Sequence, residues 1–293
     1  MNERALVLGG GGASGNAWLI GVVNGLFDAG LDVREADLVV GTSAGSTAAA
    51  QITGAPLGEL LADILSTAPQ HGSDRSGGQR GPTRPASDHM EKTNAIISAA
   101  EDAADMRRRM GAALLEVDGV SDGSKQRQWR AIVAARLPNP HWPDQAMLIT
   151  AVDAHSGQSV VFDRDSGVDL VDAVAASTAG GFAYTIGGKQ YIDGGYRADV
   201  NADLASGYKR VLVIPPLGDK TRKPLGWGLH LAAQADELRE GGSTVECILP
   251  DSASQGAIGF GMELGDLSRR QPSAQAGYNQ GKALAEPLAK FWG

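Results

Sequence analysis

The sequence predicts an α/β fold, with a mostly parallel central sheet flanked by helices, in a single domain over 1–293 that carries a helical insertion at 56–137. Three observations predict it. Residues 4–53 alternate short apolar runs with helix-patterned segments, joined by glycine-rich turns. Such βαβα order places strands side by side and parallel. Strand patterning then vanishes from Pro56 to about Leu137, and it returns at 146 in runs separated by helical stretches.

Arg4-Ala-Leu-Val-Leu8 reads as a short strand buried on both faces. The helix after Gly9–Gly15 runs through Trp18, Ile20, Val22, Val23, Leu26 and Phe27, and Ala29-Gly30 is its stop. A second strand at about 36–40 leads through Gly41–Gly45 into a helix reaching about 53. In the insertion, helices are expected near 57–66, 89–114 and 124–136. A stretch rich in Gly, Ser, Arg and Pro at about 70–88 reads as a flexible loop. Whether the insertion is a lid or a solvated excursion stays open at this point. Strands follow at 146–152 and 158–162, a helix near 168–176, a strand end at 190–192, and strands at 211–214 and 245–249. Helices near 226–240 and 273–291 close the chain.

Composition excludes several functions. A net charge of −8 leaves no basic surplus to neutralise nucleic-acid phosphates or to dock strongly on anionic membranes. Cys247 is the sole cysteine, so no internal disulfide forms, and it reads as a small packed hydrophobe. With no signal-peptide pattern and no apolar stretch near the ~18 residues of a membrane span, a soluble cytoplasmic protein is expected. No metal or organic cofactor is implied, because no dense carboxylate cluster and no His/Cys set at ligand spacing is present.

Three motifs carry chemistry. Gly41-Thr42-Ser43-Ala44-Gly45 between strand and helix has the form of a nucleophile elbow, with Ser43 at the sharp turn. The alternative is a tight glycine turn with Ser43 or Ser46 as a helix cap. The run Gly9–Gly12, Ala13, Ser14, Gly15 presents bare backbone N–H groups at a helix start, suited to an oxyanion or a phosphate. Gly10, Gly12 and Gly15 also fit the dinucleotide spacing, but the acidic residue that reading needs after the second strand is missing. Asp193-Gly194-Gly195 follows a strand and is either an Asp-Gly turn or a carboxylate aimed into the crevice at the strands' carboxyl ends. Of His71, His89, His141, His155 and His230, only His230 suits a Ser, acid, His order with Ser43 and Asp193. That order belongs to folds with several strands before the elbow, whereas Ser43 follows only the second.

Together the three stretches resemble the patatin-like phospholipase family. Gly10-Gly11-Gly12-Ala13-Ser14-Gly15, the Ser43 elbow and Asp193-Gly194-Gly195 match its oxyanion loop, elbow and Asp motif in order. Ala175–Ala179 and Asn201-Ala202-Asp203-Leu204 supply similar context. The resemblance covers about 4–55 and 146–214. It implies a Ser–Asp dyad without histidine: Asp193 as general base, Ser43 as nucleophile, and the amides of Gly10, Gly11 and Gly12 as oxyanion hole. Ser14, Gly15, Gly41, Gly45, Gly194 and Gly195 would support these motifs. Ser14 stands where the family carries Arg or Lys, so the charge behind that loop is absent. The implied activity is hydrolysis of fatty-acyl esters of phospholipid, lysophospholipid or acylglycerol through an acyl-enzyme. Transient contact with a membrane or micelle surface is expected, with Leu225, Trp227 and Leu229 as candidates or as ordinary packing. The rival readings are a weakly active lipid- or acyl-binding regulator on the same fold and a carboxylesterase on short soluble esters.

Overall fold

The computed structural model describes residues 2–67, 86–118 and 123–293. Its centre is an eight-stranded sheet in the order β5-β6-β3-β2-β1-β7-β8, with β4 on the far edge of β3. The strands are β1 (Arg4–Leu8), β2 (Leu38–Gly41), β3 (Ala146–Asp153), β4 (Ser159–Phe162), β5 (Tyr184–Ile186), β6 (Lys189–Asp193), β7 (Arg210–Ile214) and β8 (Thr244–Cys247). β3, β2, β1, β7 and β8 are parallel. β4, β5 and β6 run antiparallel to their neighbours.

Strand alternation sorts the core into two layers. Leu6, Leu8 and Val39 face a large cluster with α1 (Gly12–Asp28), α2 (Ala44–Gly54), α7 (Leu170–Ser177) and α10 (Arg270–Trp292). Ala5, Val7, Val40 and Val213 face the opposite side, against Leu231, Ala235 and Leu238 of α8 (Leu231–Glu240). Helix α1 is buried over almost its whole length. It crosses α10 at glycines: a Cβ on Gly21 would stand 2.1 Å from the Ala274 carbonyl oxygen, and one on Gly281 2.2 Å from that of Val22. Backbone meets backbone there, and the helix that carries the glycine loop is clamped.

Between α2 and β3 the described chain forms α3 (Leu57–Ser66), α4 (Ala86–Ala99), α5 (Ala103–Asp118) and α6 (Ser124–Ala134). The expected helix at 89–114 is two helices, because the Asp102 carboxylate accepts the Asp105 N–H at 2.7 Å and caps a new start. The loop expected at about 70–88 lies outside the described residues, except that 86–88 belong to α4. Helix α5 buries Met106, Met110 and Leu114 against Val152 and Ile192 of the sheet. Helix α6 docks on α7 through Trp129, whose indole N–H donates to the Ala175 carbonyl at 3.1 Å, and on β5 through Gln126, whose Nε2 donates to the Thr185 carbonyl at 2.8 Å. The expected helix at 226–240 is a short turn at Leu225–Trp227 followed by α8. Helix α9 (Ser252–Ile258) had no counterpart among the sequence expectations.

Candidate active site

Register brings the two key side chains together. Along β3, Ile149 pairs with Gly41 of β2 and Phe162 of β4, while Ala151 pairs with Asp193 of β6 and Val160 of β4. A residue paired twice uses both edges of its strand, so β2 and β6 share one edge of β3 and β4 takes the other. β2 ends at rung 149 and the antiparallel β6 ends at rung 151. Their carboxyl ends therefore face each other across two residues of β3, about 7 Å. The sequence places Asp193 at a strand end, aimed at the carboxyl ends of the parallel strands, and leaves the direction of its own strand unassigned. That strand, β6, arrives from the opposite direction, because β5 and β6 form a hairpin.

Ser43 sits in the gap with φ 52° and ψ −117°, a backbone state that costs a non-glycine residue on the order of 1–3 kcal/mol. Its surroundings hold that strain. The Ser43 N–H donates to Ser177 Oγ at 3.0 Å, and Ser46 Oγ donates to the Ser43 carbonyl at 2.6 Å. Position 45 has no room for a side chain, since a Cβ would fall 2.0 Å from the Leu8 carbonyl oxygen. The elbow thus rests on the end of β1, and Gly41 packs on the Ser46 backbone.

Ser43 Oγ donates to Asp193 Oδ2 at 2.8 Å, and the Gly195 N–H donates to Asp193 Oδ1 at 2.7 Å. The carboxyl keeps partial access to the cavity but is surrounded by protein, and burial pushes it up to about 6 against the opposing pull of the Gly195 N–H, the Ser43 hydroxyl and Lys223. A carboxylate in that range is a stronger base than an exposed aspartate and is still ionised near neutral pH.

Asn201 ties the pieces together, a role the sequence reading did not assign. It is fully buried, with φ 58°. Its Nδ2 lies 2.9 Å from Thr42 Oγ1, 3.3 Å from Thr150 Oγ1 and 3.2 Å from the Gly194 carbonyl oxygen. One amide group thereby joins elbow, β3 and Asp turn. Gly194 lies against Thr150, which stands between the two strand ends. Among non-glycine residues at left-handed φ, asparagine is enriched, and a buried one in such a place is the legible signal.

The glycine loop lies beside Ser43. A Cβ on Gly10 would meet Ser43 Cβ at 3.4 Å. Among the described residues the Gly10 and Gly11 amides have no backbone partner, and Gly12 opens α1, where first-turn N–H groups are free. Ser14 does not face the site. Its hydroxyl is buried and donates to the Ile258 carbonyl at 2.9 Å, fastening α1 to the end of α9. Gly15 donates its N–H to the Gly11 carbonyl at 2.9 Å and packs on Pro216.

Ser43, Asp193 and Gly10–Gly12 line a cavity of about 520 Å³. Its walls come from α4 (His89, Met90, Thr93, Ile97), from Met106, from 217–223 and from 260–265. Arg222 fastens α4 in place, with Nη1 2.9 Å from Thr93 Oγ1 and 3.1 Å from Asn94 Oδ1. His89 lines the cavity; burial, with the Arg222 guanidinium in the same cavity, holds its imidazole below the usual histidine range. His230 is not among the lining residues and precedes α8, while His141 and His155 lie at the surface and His71 lies outside the described residues. Leu225 is 64% exposed, whereas Trp227 packs partly buried against the α5 cluster. Among the described residues, no three His, Cys, Asp or Glu side chains gather as metal ligands, and no helix is long and apolar enough to cross a membrane.

Comparison with known proteins gives the family. No curated protein matches the chain. Among solved structures it is similar to VipD from Legionella pneumophila at 13% identity and TM-score 0.42, covering 98% of this chain and 67% of that one. It is also similar to the type III effector protein ExoU at 19% identity and TM-score 0.32, covering 96% of this chain and 54% of that one. The chain thus spans about two thirds of the one and about half of the other. Residues 6–206 match the family model of the patatin-like phospholipases, a stretch that includes the glycine loop, the elbow, Asp193 and Asn201. Matched over more than half its length, the chain belongs to the patatin-like phospholipase family, a family of lipid acyl hydrolases.

Proposed function

We propose that the chain hydrolyses fatty-acyl esters of lipids through a Ser43–Asp193 dyad. The observation that carries this reading is the 2.8 Å hydrogen bond from Ser43 Oγ to a buried carboxylate, beside glycine amides with no backbone partner among the described residues, in a largely apolar cavity. Asp193 takes the hydroxyl proton as Ser43 Oγ attacks the ester carbonyl. The amides of Gly10–Gly12, at the positive end of α1, hold the tetrahedral oxyanion. Collapse expels the alcohol, which regains the proton from Asp193. Water repeats the sequence on the acyl-enzyme and releases the fatty acid.

The walls support lipid over short soluble esters. Met90, Ile97, Met106 and Leu264 offer apolar surface for an acyl chain. Lys220 and Arg222 line the same cavity, and neither is ion-paired among the described residues, whereas Lys223 is paired with Asp199. Two cations without counter-ions favour an anionic phospholipid or lysophospholipid over a neutral acylglycerol. Phe260, 48% exposed at the cavity wall, and the neighbouring Met262, 58% exposed, supply apolar surface for transient contact with a membrane or micelle.

Hydrolysis of mixed micelles of long-chain phosphatidylglycerol, matched by triacylglycerol micelles and a chain-length series of p-nitrophenyl esters, tests the reading. The expected order is phospholipid first, with Ser43→Ala inert. Turnover confined to short acyl chains identifies a soluble carboxylesterase. Lipid binding with no turnover identifies a regulator.

A further inference from the structure

One cation in the cavity wall has no part in the steps above. Lys223 lies beyond the stretch that matches the family model. Its side chain is only 8% exposed, and its Nζ donates to Asp199 Oδ1 at 2.5 Å and to the Gly195 carbonyl at 2.8 Å. Burying such a pair is neutral or costly for stability compared with apolar packing of the same volume. Fold stability alone therefore gives no reason for an ammonium at this depth. The second contact gives one. Gly195 uses its N–H to hold Asp193 Oδ1 at 2.7 Å and its carbonyl to receive Lys223. The far end of the same turn is held by Tyr196, whose hydroxyl donates to the Gly180 carbonyl at 2.9 Å.

We infer that Lys223 is a positioning residue for the dyad: its ammonium locks the Gly194–Tyr196 turn, so that the Gly195 amide grips Asp193 Oδ1 and leaves Oδ2 to the Ser43 hydroxyl. The inference rests on the Ser43–Asp193 reading above. The ammonium also acts through space. It favours the ionised carboxylate, the form able to take the serine proton, and opposes the burial that pushes Asp193 up. The other groups around that carboxyl are the Ser43 hydroxyl, the Gly195 amide and the Tyr196 phenol, with His89 and Arg222 in the same cavity. Asp199, the remaining acid, is paired with Lys223 itself, and its Oδ2 is buried without a partner among the described residues. An amide at position 199 thus removes the charge without breaking a second bond.

The test is the pH profile of kcat/KM on a soluble p-nitrophenyl ester for the full chain, Lys223→Met, the double variant K223M/D199N and Asp193→Asn. The double variant guards against misfolding, since it leaves no lone buried charge. With the cation gone, the acid limb moves up from about 6 by about one pH unit, and the rate at pH 6 falls about fivefold more than the rate at pH 8.5. A loss equal at every pH, with the limb in place, or no change at all, overturns the inference. Wild-type turnover by Asp193→Asn would instead remove the base assignment on which it rests. An inert Asp193→Asn with an unmoved limb in the Lys223 variants refutes the role of Lys223 alone.

Discussion

The floor and the walls of the cavity are built by different means. The floor is backbone: β2 and β6 end on one edge of β3, glycines at 41, 45 and 194 press directly on neighbouring chain, and Asn201 pins the three parts. The walls come from separate stretches of sequence, α4, 217–223 and 260–265, held to one another by side chains. Arg222 spans to Thr93 and Asn94, and Lys220 sits 5.3 Å over the Phe260 ring. The contrast teaches where change is tolerated. Sheet register and close backbone packing fix Ser43 and Asp193, whereas the walls hang on a few replaceable side-chain bonds. Floor variants should therefore lower kcat, and variants of wall residues that do not touch the Asp193 turn should raise KM.

The sharpest form of the contrast is the dyad. Ser43→Ala and Asp193→Asn each lower kcat by at least about 10⁴-fold with the fold intact by circular dichroism. Asp193→Asn should also stabilise the protein. A carboxyl raised to about 6 from 3.8 is favoured by folding only while protonated, so its contribution is present below about pH 4 and is lost as pH rises through about 6. At pH 7 the amide variant gains about 3 kcal/mol by this route, less whatever its altered hydrogen bonds cost. Thermal melts at pH 4.5 and pH 8 check it: the variant's advantage must be larger at pH 8. For the same reason wild-type kcat/KM rises with pH through about 6 and then levels off.

Next in size is Asn201→Ala, which strands the Thr42, Thr150 and Gly194 contacts in the interior. It costs about 2–3 kcal/mol of stability and about 10–100-fold in kcat, with KM little changed. Smallest is Arg222→Gln in the wall, which raises KM for anionic phospholipid about fivefold and leaves kcat nearly unchanged. A kcat loss for Arg222→Gln as large as that for Asn201→Ala would erase the distinction between floor and wall.

The same division decides what was legible in the sequence. Each floor motif is a local strand–turn–helix or strand–turn pattern, so Ser43, Asp193 and Gly10–Gly12 stand out from residues a few positions apart. The direction of β6 was not legible. β5 has only three residues, too short for a period-two signal, and the Gly187-Gly188 pair between β5 and β6 was the missed hairpin cue. The walls are contacts between positions far apart in sequence, such as Arg222 with Thr93 and Lys220 with Phe260, and no local pattern encodes them. His89 read as part of a loose insertion and instead lines the cavity, because Arg222 draws α4 over it. Ser14 read as a weakened oxyanion loop. In the fold its hydroxyl is a buried tie to Ile258, a use visible only once α9 is in place.

The central claim is that Asp193, and no histidine, activates Ser43. The rate of covalent labelling by a long-chain fluorophosphonate, followed by intact-protein mass and mapped by peptide sequencing, tests it most directly. The account predicts a single adduct on Ser43, labelling slowed at least about 100-fold in Asp193→Asn, and an unchanged rate in His230→Ala. Labelling of Asp193→Asn at the wild-type rate, or an adduct on another residue, would contradict it.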